Sequence, residues 1–218
     1  MEKRKCQSLG FKDIGAIGIG AMIVFIAMVL VAGIAASVLI QTSGNLEMRA
    51  MQAGTETTAE VATGIHVGCI HGYSDLSKIQ LLAIEIRPRS GSREVDLSET
   101  VIEMTDSTQK NYFVYETNNF TAVSNIDGNI FNTSFYPSNN GTVFGIIVLE
   151  DADGSVTSTN PVINAGDHVI LTVNITAAFT GFNTRTPVRG LVIPEFGSPG
   201  VISFSTPPSF TYNVVELQ

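Results

Sequence analysis

Hydrophobic and polar positions divide this chain into three regimes. From Ala16 to Ile40 no residue is charged, and apolar side chains fall on every side of a helical wheel. A helix that is apolar all round must be covered by lipid or by protein. Those 25 residues would span about 38 Å at ~1.5 Å per residue, more than the ~30 Å hydrocarbon layer of a bilayer. Beyond this run, Leu39, Leu46, Ala50, Ala53, Thr57, Val61 and Ile65 recur mostly at steps of three or four, while Glu47, Arg49, Glu56 and Glu60 fall off that stripe. The pattern predicts one helix continuing to about residue 62, apolar in its first half and amphipathic in its second. Gly44 and Gly54 weaken it only locally.

From about residue 65 the period becomes two. The stretches 78–88, 94–104, 110–116, 142–150, 167–176, 189–197, 200–207 and 210–217 read as strands, separated by turn-rich pieces such as "RSGSR", "PSNNG" and "EDADGS". Seven or eight short strands with regular turn signals predict an antiparallel β-sandwich of immunoglobulin-like type. No helical pattern alternates with them, which argues against a parallel α/β sheet. The expected fold class is therefore α+β, a long N-terminal hydrophobic helix followed by a sandwich. The expected organisation is 1–15 as a basic leader, 16–62 as the helix and 63–218 as the sandwich domain.

Charge sharpens this picture. The chain carries 12 basic and 20 acidic residues, a formal net charge of −8. Lys3, Arg4, Lys5 and Lys12, with Glu2 and Asp13, lie in the first fifteen residues; without them 8 basic and 18 acidic remain, a net −10. So acidic a body repels nucleic acid, and no basic stripe offsets it. Basic residues before the apolar run, and none soon after it, orient the N-terminus to the cytoplasm and the body outside. A discarded secretory signal has an apolar core of roughly 7–15 residues; this run is longer, and "IQTSGNLEM" is a poor site for signal peptidase. The two cysteines, Cys6 and Cys69, lie on opposite sides of the helix, so removing the head leaves one thiol and no disulfide framework.

Candidate chemistry is sparse. Within the helix, small residues recur four apart, Ala32 with Ala36 and Gly33 with Ser37, a spacing that lets helix backbones approach closely. "HVGCIHG" brings His66, Cys69 and His71 near one another, but a structural zinc site needs four ligands and no second cluster supplies them; a helix-to-strand junction with a buried Cys69 is the simpler reading. His168 reads as structural. No nucleophile elbow, phosphate loop or zinc-protease motif occurs, so an enzyme is not expected. "EDADGS" (150–155) has Glu150, Asp151 and Asp153 before Gly154, like the first half of a Ca²⁺ loop, without the later ligands. Asp151 and Asp153 are thus candidate ligands for a structural Ca²⁺, and no other cofactor is expected. Four Asn-x-Ser/Thr triplets, at Asn119, Asn132, Asn140 and Asn174, are candidate N-glycosylation sites. The first three cluster in turn-rich polar sequence, whereas Asn174 falls in a strand.

The segment "AIGIGAMIVFIAMVLVAGIAASVLIQTSG" closely resembles the N-terminal helix of archaeal flagellins (archaellins). "RSGSREVDLSETVIEM" (89–104) and "INAGDHVILTVNI…PVRGLVIPEFGSPGVISFSTPPSF" (163–210) are similar to the same family. Residues 105–160 match nothing recognisable, as expected of a variable outer surface. The resemblance implies a precursor whose basic leader is removed by a membrane peptidase on the cytoplasmic side. The family's pattern of a glycine before the cut and another at the third mature position falls on Gly15 and Gly18, giving Ala16 as the mature start. A rival cut after Gly10 would leave Lys12 and Asp13 in a helix that must be buried, a costly arrangement. The residue before Gly15 is Ile14, where a charged one is frequent in the family.

The resemblance further implies a rotating extracellular filament built from this chain and other archaellins, extruded by a membrane platform protein and a cytoplasmic ATPase. The precursor would wait in the cell membrane. An archaeal type IV pilin for adhesion is the nearest alternative. Gly20, at the fifth mature position where pilins commonly carry Glu, favours the flagellin. A monomeric, membrane-anchored binding protein is the more distant alternative.

Overall fold

A computed structural model describes residues 11–131, 133–138 and 141–218. It forms two compact units, one reaching Thr55 and one running from Glu56 to Gln218. Helix α1, Phe11–Ala62, supplies the first unit and enters the second. No proline precedes Pro88, so nothing interrupts the main-chain ladder. Within α1 the Thr42 hydroxyl donates to the Val38 carbonyl, at 2.9 Å. The helix ends where Thr63 N–H still reaches the Ala59 carbonyl (2.8 Å) and Gly64 turns the chain into the sheet.

The second unit contains β1 (Ile65–Ser74), β2 (Ile79–Pro88), β3 (Val95–Asp96), β4 (Val101–Thr105), β5 (Lys110–Ala122), β6 (Val143–Glu150), β7 (Val162–Ile163), β8 (His168–Asn174), the short helix α2 (Ile175–Phe179), β9 (Pro187–Ile193), β10 (Gly200–Ser205) and β11 (Val214–Glu216). Nine strands hydrogen-bond in the order β10-β9-β4-β5-β6-β8-β2-β1-β11, and β3 pairs with β7 separately. All pairs are antiparallel except β5 with β6. β5 belongs to two layers. Its first residues pair with β4, then the register breaks between Tyr115 and Phe120, and its second half follows β6. A strand that changes partners in this way makes the corner of a sandwich. The layers are β10-β9-β4-β5 and β5-β6-β8-β2-β1-β11.

The seam between the outermost strands is closed by β1, β10 and β11. Ile65 N–H donates to the Ser198 carbonyl (3.2 Å), and the main chains of Ile70 and Leu217 bond at 2.8 Å. Farther along, the Gln218 side chain accepts from Ser203 N–H (2.7 Å) and donates to the Val201 carbonyl (3.3 Å).

The main core lies between the layers and includes Ile70, Ile84, Phe113, Phe144, Leu171, Val192 and Ile202. A second cluster covers the outer face of β2, β6 and β8, where Phe131 and Tyr136 pack over Leu81, Ala83, Ile147 and Ile170. β6 and β8 are thus buried on both faces, which accounts for their continuous apolar sequences "VFGIIV" and "VILTV".

The structure departs from the sequence expectations in three ways. Residues 66–72 are not a junction but the middle of β1, and Cys69 is half-buried. A register shift between Val67 and Ile70 changes which residues face inward, which hides the strand's alternation. Stretch 94–104 divides into β3 and β4, because Ser98 N–H bonds the Asp96 carboxylate (2.8 Å) and turns the chain between them. Finally, the stretch through Thr176 leaves the sheet at Asn174, whose side chain accepts from Ala177 N–H (3.1 Å) and caps α2.

Candidate functional site

The largest unusual surface of this chain is α1. Fifteen large apolar side chains from Ile17 to Ile40 are each more than half exposed; the least exposed is Val38, at 52%. No other described helix is long and apolar enough to cross a membrane. At ~1.5–3 kcal/mol for each large side chain moved out of water, covering this surface is worth tens of kcal/mol. Ala32, Gly33, Ala36 and Ser37 are likewise exposed, and a Cβ built on Gly33 meets nothing within 4 Å. Positions i and i+4 share a helix face, so Ala32–Ala36 and Gly33–Ser37 form two adjacent shallow tracks. Gly15 and Gly18 lie on the same helix and are open to solvent; Ala16 lies between them in sequence. A Cβ on Gly18 or Gly20 would also meet nothing within 4 Å.

Chemistry-bearing side chains concentrate elsewhere. Asp151 and Asp153, in the turn after β6, converge with Asp167, the residue before β8; their nearest carboxylate oxygens lie within 4.8 Å of one another. Gly154 adopts φ +78° between them, a conformation that favours glycine. Each carboxylate is held by donors. Asp151 accepts from Gly154 N–H (2.8 Å), Asp153 from the Asn164 amide (2.6 Å) and Asp167 from Ala152 N–H (3.1 Å) and Asn164 N–H (2.8 Å). Hydrogen bonds from Ser155 and Asn164 hold Asp153 below the ordinary carboxylate range. Three hard oxygen donors from the two turns flanking β7 suit a hard divalent cation, and Ca²⁺ best tolerates such irregular geometry. Asp167 escaped the sequence reading because thirteen residues separate it from Asp153. Glu150 stands apart, opposite His168 in the β6–β8 register.

This carboxylate group is the one cluster of three or more metal-ligating side chains among the described residues; His66, Cys69 and His71 do not converge. His168 Nδ1 lies 3.7 Å from a Glu85 carboxylate oxygen. Among the candidate glycosylation sites, Asn119 is half-buried at the irregularity of β5 and donates to Glu116 (2.8 Å). Asn174 donates its side-chain amide to the Pro137 carbonyl (2.9 Å) while its oxygen caps α2, so a glycan there would have to be accommodated on a nitrogen that already holds this bond. Asn132 and Asn140 lie outside the described residues.

Comparison with known proteins gives this surface a context. The sequence profile described as archaeal-type flagellin matches residues 15–204. Flagellin B2 of Methanocaldococcus jannaschii is 48% identical over 207 residues, covering 94% of this chain and 95% of that protein. The crystal structure of archaeal flagellin FlaB1 from the same organism superposes with a TM-score of 0.65 at 34% identity, over 72% of this chain and 98% of that one. The archaeal flagellum of Methanospirillum hungatei strain JF1 superposes with a TM-score of 0.61 over 91% of this chain and 98% of that one, at 17% identity, a likeness of fold.

Proposed function

This chain belongs to the archaeal-type flagellin family, and from that premise we propose that it is a structural subunit of the archaeal flagellum filament, polymerising through α1 into the propeller used for swimming. The observation that carries this reading is the exposed apolar surface of α1, which its own chain leaves uncovered. In the membrane, lipid covers that surface; in a filament, identical helices cover it. Both surroundings are apolar, so transfer between them changes hydrophobic burial little, and packing of small residues decides association. Separation of a finished filament into water would expose fifteen large apolar side chains, which traps the polymer.

The remaining steps follow from this reading. A prepilin-type peptidase cuts after Gly15 on the cytoplasmic side, Ala16 becomes the first residue of the subunit, and Gly18 completes the recognised pattern. A platform protein and an ATPase supply the work of lifting each subunit from the membrane, where the precursor lies with its N-terminus cytoplasmic. Other archaellins join the same helical polymer. Asp151, Asp153 and Asp167 take a Ca²⁺ ion with a structural role. Asn119, Asn132 and Asn140, in the turn-rich polar stretch, carry glycans. The decisive experiment is electron microscopy of sheared surface filaments combined with N-terminal peptide mapping by mass spectrometry. Filaments whose subunits begin at Ala16 are expected, together with an uncleaved, membrane-held precursor in Gly15→Val. Another mature start overturns the cleavage assignment, and a chain absent from the filaments overturns the function.

A further inference from the structure

Arg49 is the one Lys or Arg between Lys12 and Lys78. It is exposed on α1, and among the described residues the ion pairs are Lys110 with Glu103 and His168 with Glu85. Its guanidinium therefore has no carboxylate partner within the chain. Arg49, Glu56 and Glu60 recur at steps of seven and four, on one side of the helix, beside the stripe of Leu46, Ala50, Ala53, Thr57 and Val61. At ~1.5 Å per residue those glutamates lie about 10 and 16 Å along the helix from Arg49, too far for a pair within one copy. Glu56 and Glu60 instead line a cleft of about 390 Å³ in the second unit, together with Arg93, Glu94 and Phe196. Arg93 N–H donates to the Thr63 hydroxyl (3.3 Å), which ties that loop to the end of α1, and the Phe196 ring is 67% exposed. Three carboxylates against the Arg93 guanidinium give the cleft a net −2. The adjoining cleft, which shares Glu94 and Phe196, adds Asp96 and Glu195, and Arg89 is the other base at this junction, so five carboxylates face two guanidiniums, a net −3. Asp153, beyond Arg93 and Glu94, belongs to the aspartate group already described, and these glutamates do not converge as metal ligands.

We infer that Arg49 of a second copy enters this cleft in the filament; the inference rests on the filament reading above, in which α1 helices cover one another. A guanidinium brought between such helices loses its water, and a charge left unpaired there is strongly destabilising. From Ala16 to Ala62 the helix offers three carboxylates, Glu47, Glu56 and Glu60. Glu47 is two residues from Arg49 and on the other side of the helix. Glu56 and Glu60 come with Glu94 and an exposed aromatic ring, and a planar guanidinium can pair with carboxylates while stacking on such a ring. Between parallel helices, bringing Arg49 level with Glu56 and Glu60 sets a stagger of about 10–16 Å. Each copy then gives Arg49 to one neighbour and receives another's in its own cleft. Such a contact is heterologous, so it repeats along a helix and does not close into a dimer. Charges flanking an apolar stripe set the register of the partner helix, which small residues alone leave free to slide.

The direct test treats Arg49→Lys filaments with a carbodiimide, which joins an amine to a carboxylate in contact with it, and maps the linked peptides by mass spectrometry. A link between copies from the introduced amine to Glu56, Glu60 or Glu94 is expected in filaments and absent from the same full-length chain dispersed in detergent. A link to Glu47, or no link from the introduced amine, overturns the inference. The second arm exchanges charges, and it decides the matter if Arg49→Lys yields no filaments. Arg49→Glu and Glu60→Arg should each lower filament yield severalfold while leaving leader removal and the unfolding midpoint of the dispersed chain unchanged. Arg49→Glu combined with Glu60→Arg should recover most of the lost yield. Normal yield from Arg49→Glu alone, no recovery in the pair, or recovery with Glu47→Arg in place of Glu60→Arg overturns the inference and leaves the filament function standing. Wild-type filaments that lack this chain overturn both readings together.

Discussion

Gly197→Ala tests how the end of α1 is fastened to the sandwich. Gly197 has φ +92°, and a Cβ there would sit on the Thr63 carbonyl oxygen. Two penalties combine. Holding a residue with a Cβ in the left-handed region costs roughly 1–2 kcal/mol. Relieving the overlap moves Thr63 away from the 197–198 backbone, which weakens the bond from Ser198 N–H to the Thr63 carbonyl (2.9 Å) and that from Ile65 N–H to the Ser198 carbonyl (3.2 Å). At ~1 kcal/mol for each, the total is about 3–4 kcal/mol. For a domain of this size each kcal/mol lowers the midpoint by about 2–4 °C, so a fall of about 6–16 °C is expected. Gly91 is the internal control, with φ +82° and nothing within 4 Å of its Cβ position. Gly91→Ala carries only the backbone penalty, about 1–2 kcal/mol. Thermal unfolding of both full-length variants in detergent, followed by circular dichroism in the β-sheet region, separates the two effects. Equal midpoints for Gly91→Ala and Gly197→Ala would refute the claim that the Thr63 contact fastens the helix end.

Gly33→Leu or Ala36→Leu should leave membrane insertion and leader removal intact but impair polymerisation, scored by immunoblot of membranes against sheared filaments; normal filament yield contradicts close helix packing. Ca²⁺ should raise the unfolding midpoint of the wild-type chain and have no effect on Asp151→Asn combined with Asp167→Asn, measured by differential scanning fluorimetry after chelation; an unresponsive wild type removes the calcium assignment. For pH, Asp106 is the informative group. Burial pushes its pKa up, but donors from Thr108 and Gln109 outweigh this and hold it below the ordinary carboxylate range. A carboxylate with a depressed folded-state pKa contributes stability above its unfolded value and loses it as pH falls through the folded one. Asp106→Asn should therefore be less stable than wild type at neutral pH, with the gap narrowing below about pH 4; a gap that widens on acidification contradicts the assignment.

The long helix was legible because nothing from Ala16 to Ile40 is charged and no proline breaks it. β6 and β8 were legible as apolar runs, but what covers their outer face was not. Phe131 and Tyr136 arrive from a turn-rich stretch without periodicity, and only the folded chain brings them over Ile147 and Ile170. β1 was lost to a register shift at Gly68 and Cys69, since alternation identifies a strand only while its phase holds. The parallel pairing of β5 with β6 carries no local signature, because it depends on where the intervening excursion returns. The acidic loop was half legible. Asp151 and Asp153 are neighbours in sequence, whereas Asp167 joins them only through the chain reversal at β7.

The Gln218 side chain, bonded to Ser203 and Val201 on β10, has a consequence for how copies meet. A bare strand edge is a template that any extended segment can copy, and crowding turns such templates into irreversible tangles. Here the Ser203 amide and the Val201 carbonyl on that edge are already occupied, and the opposite outermost strand, β11, is only three residues long. A backbone ladder shared between crowded copies is thus disfavoured at both ends of the sheet. Their mutual order must be written in side chains, which can discriminate one neighbour's surface from another's, where a naked main chain accepts all comers.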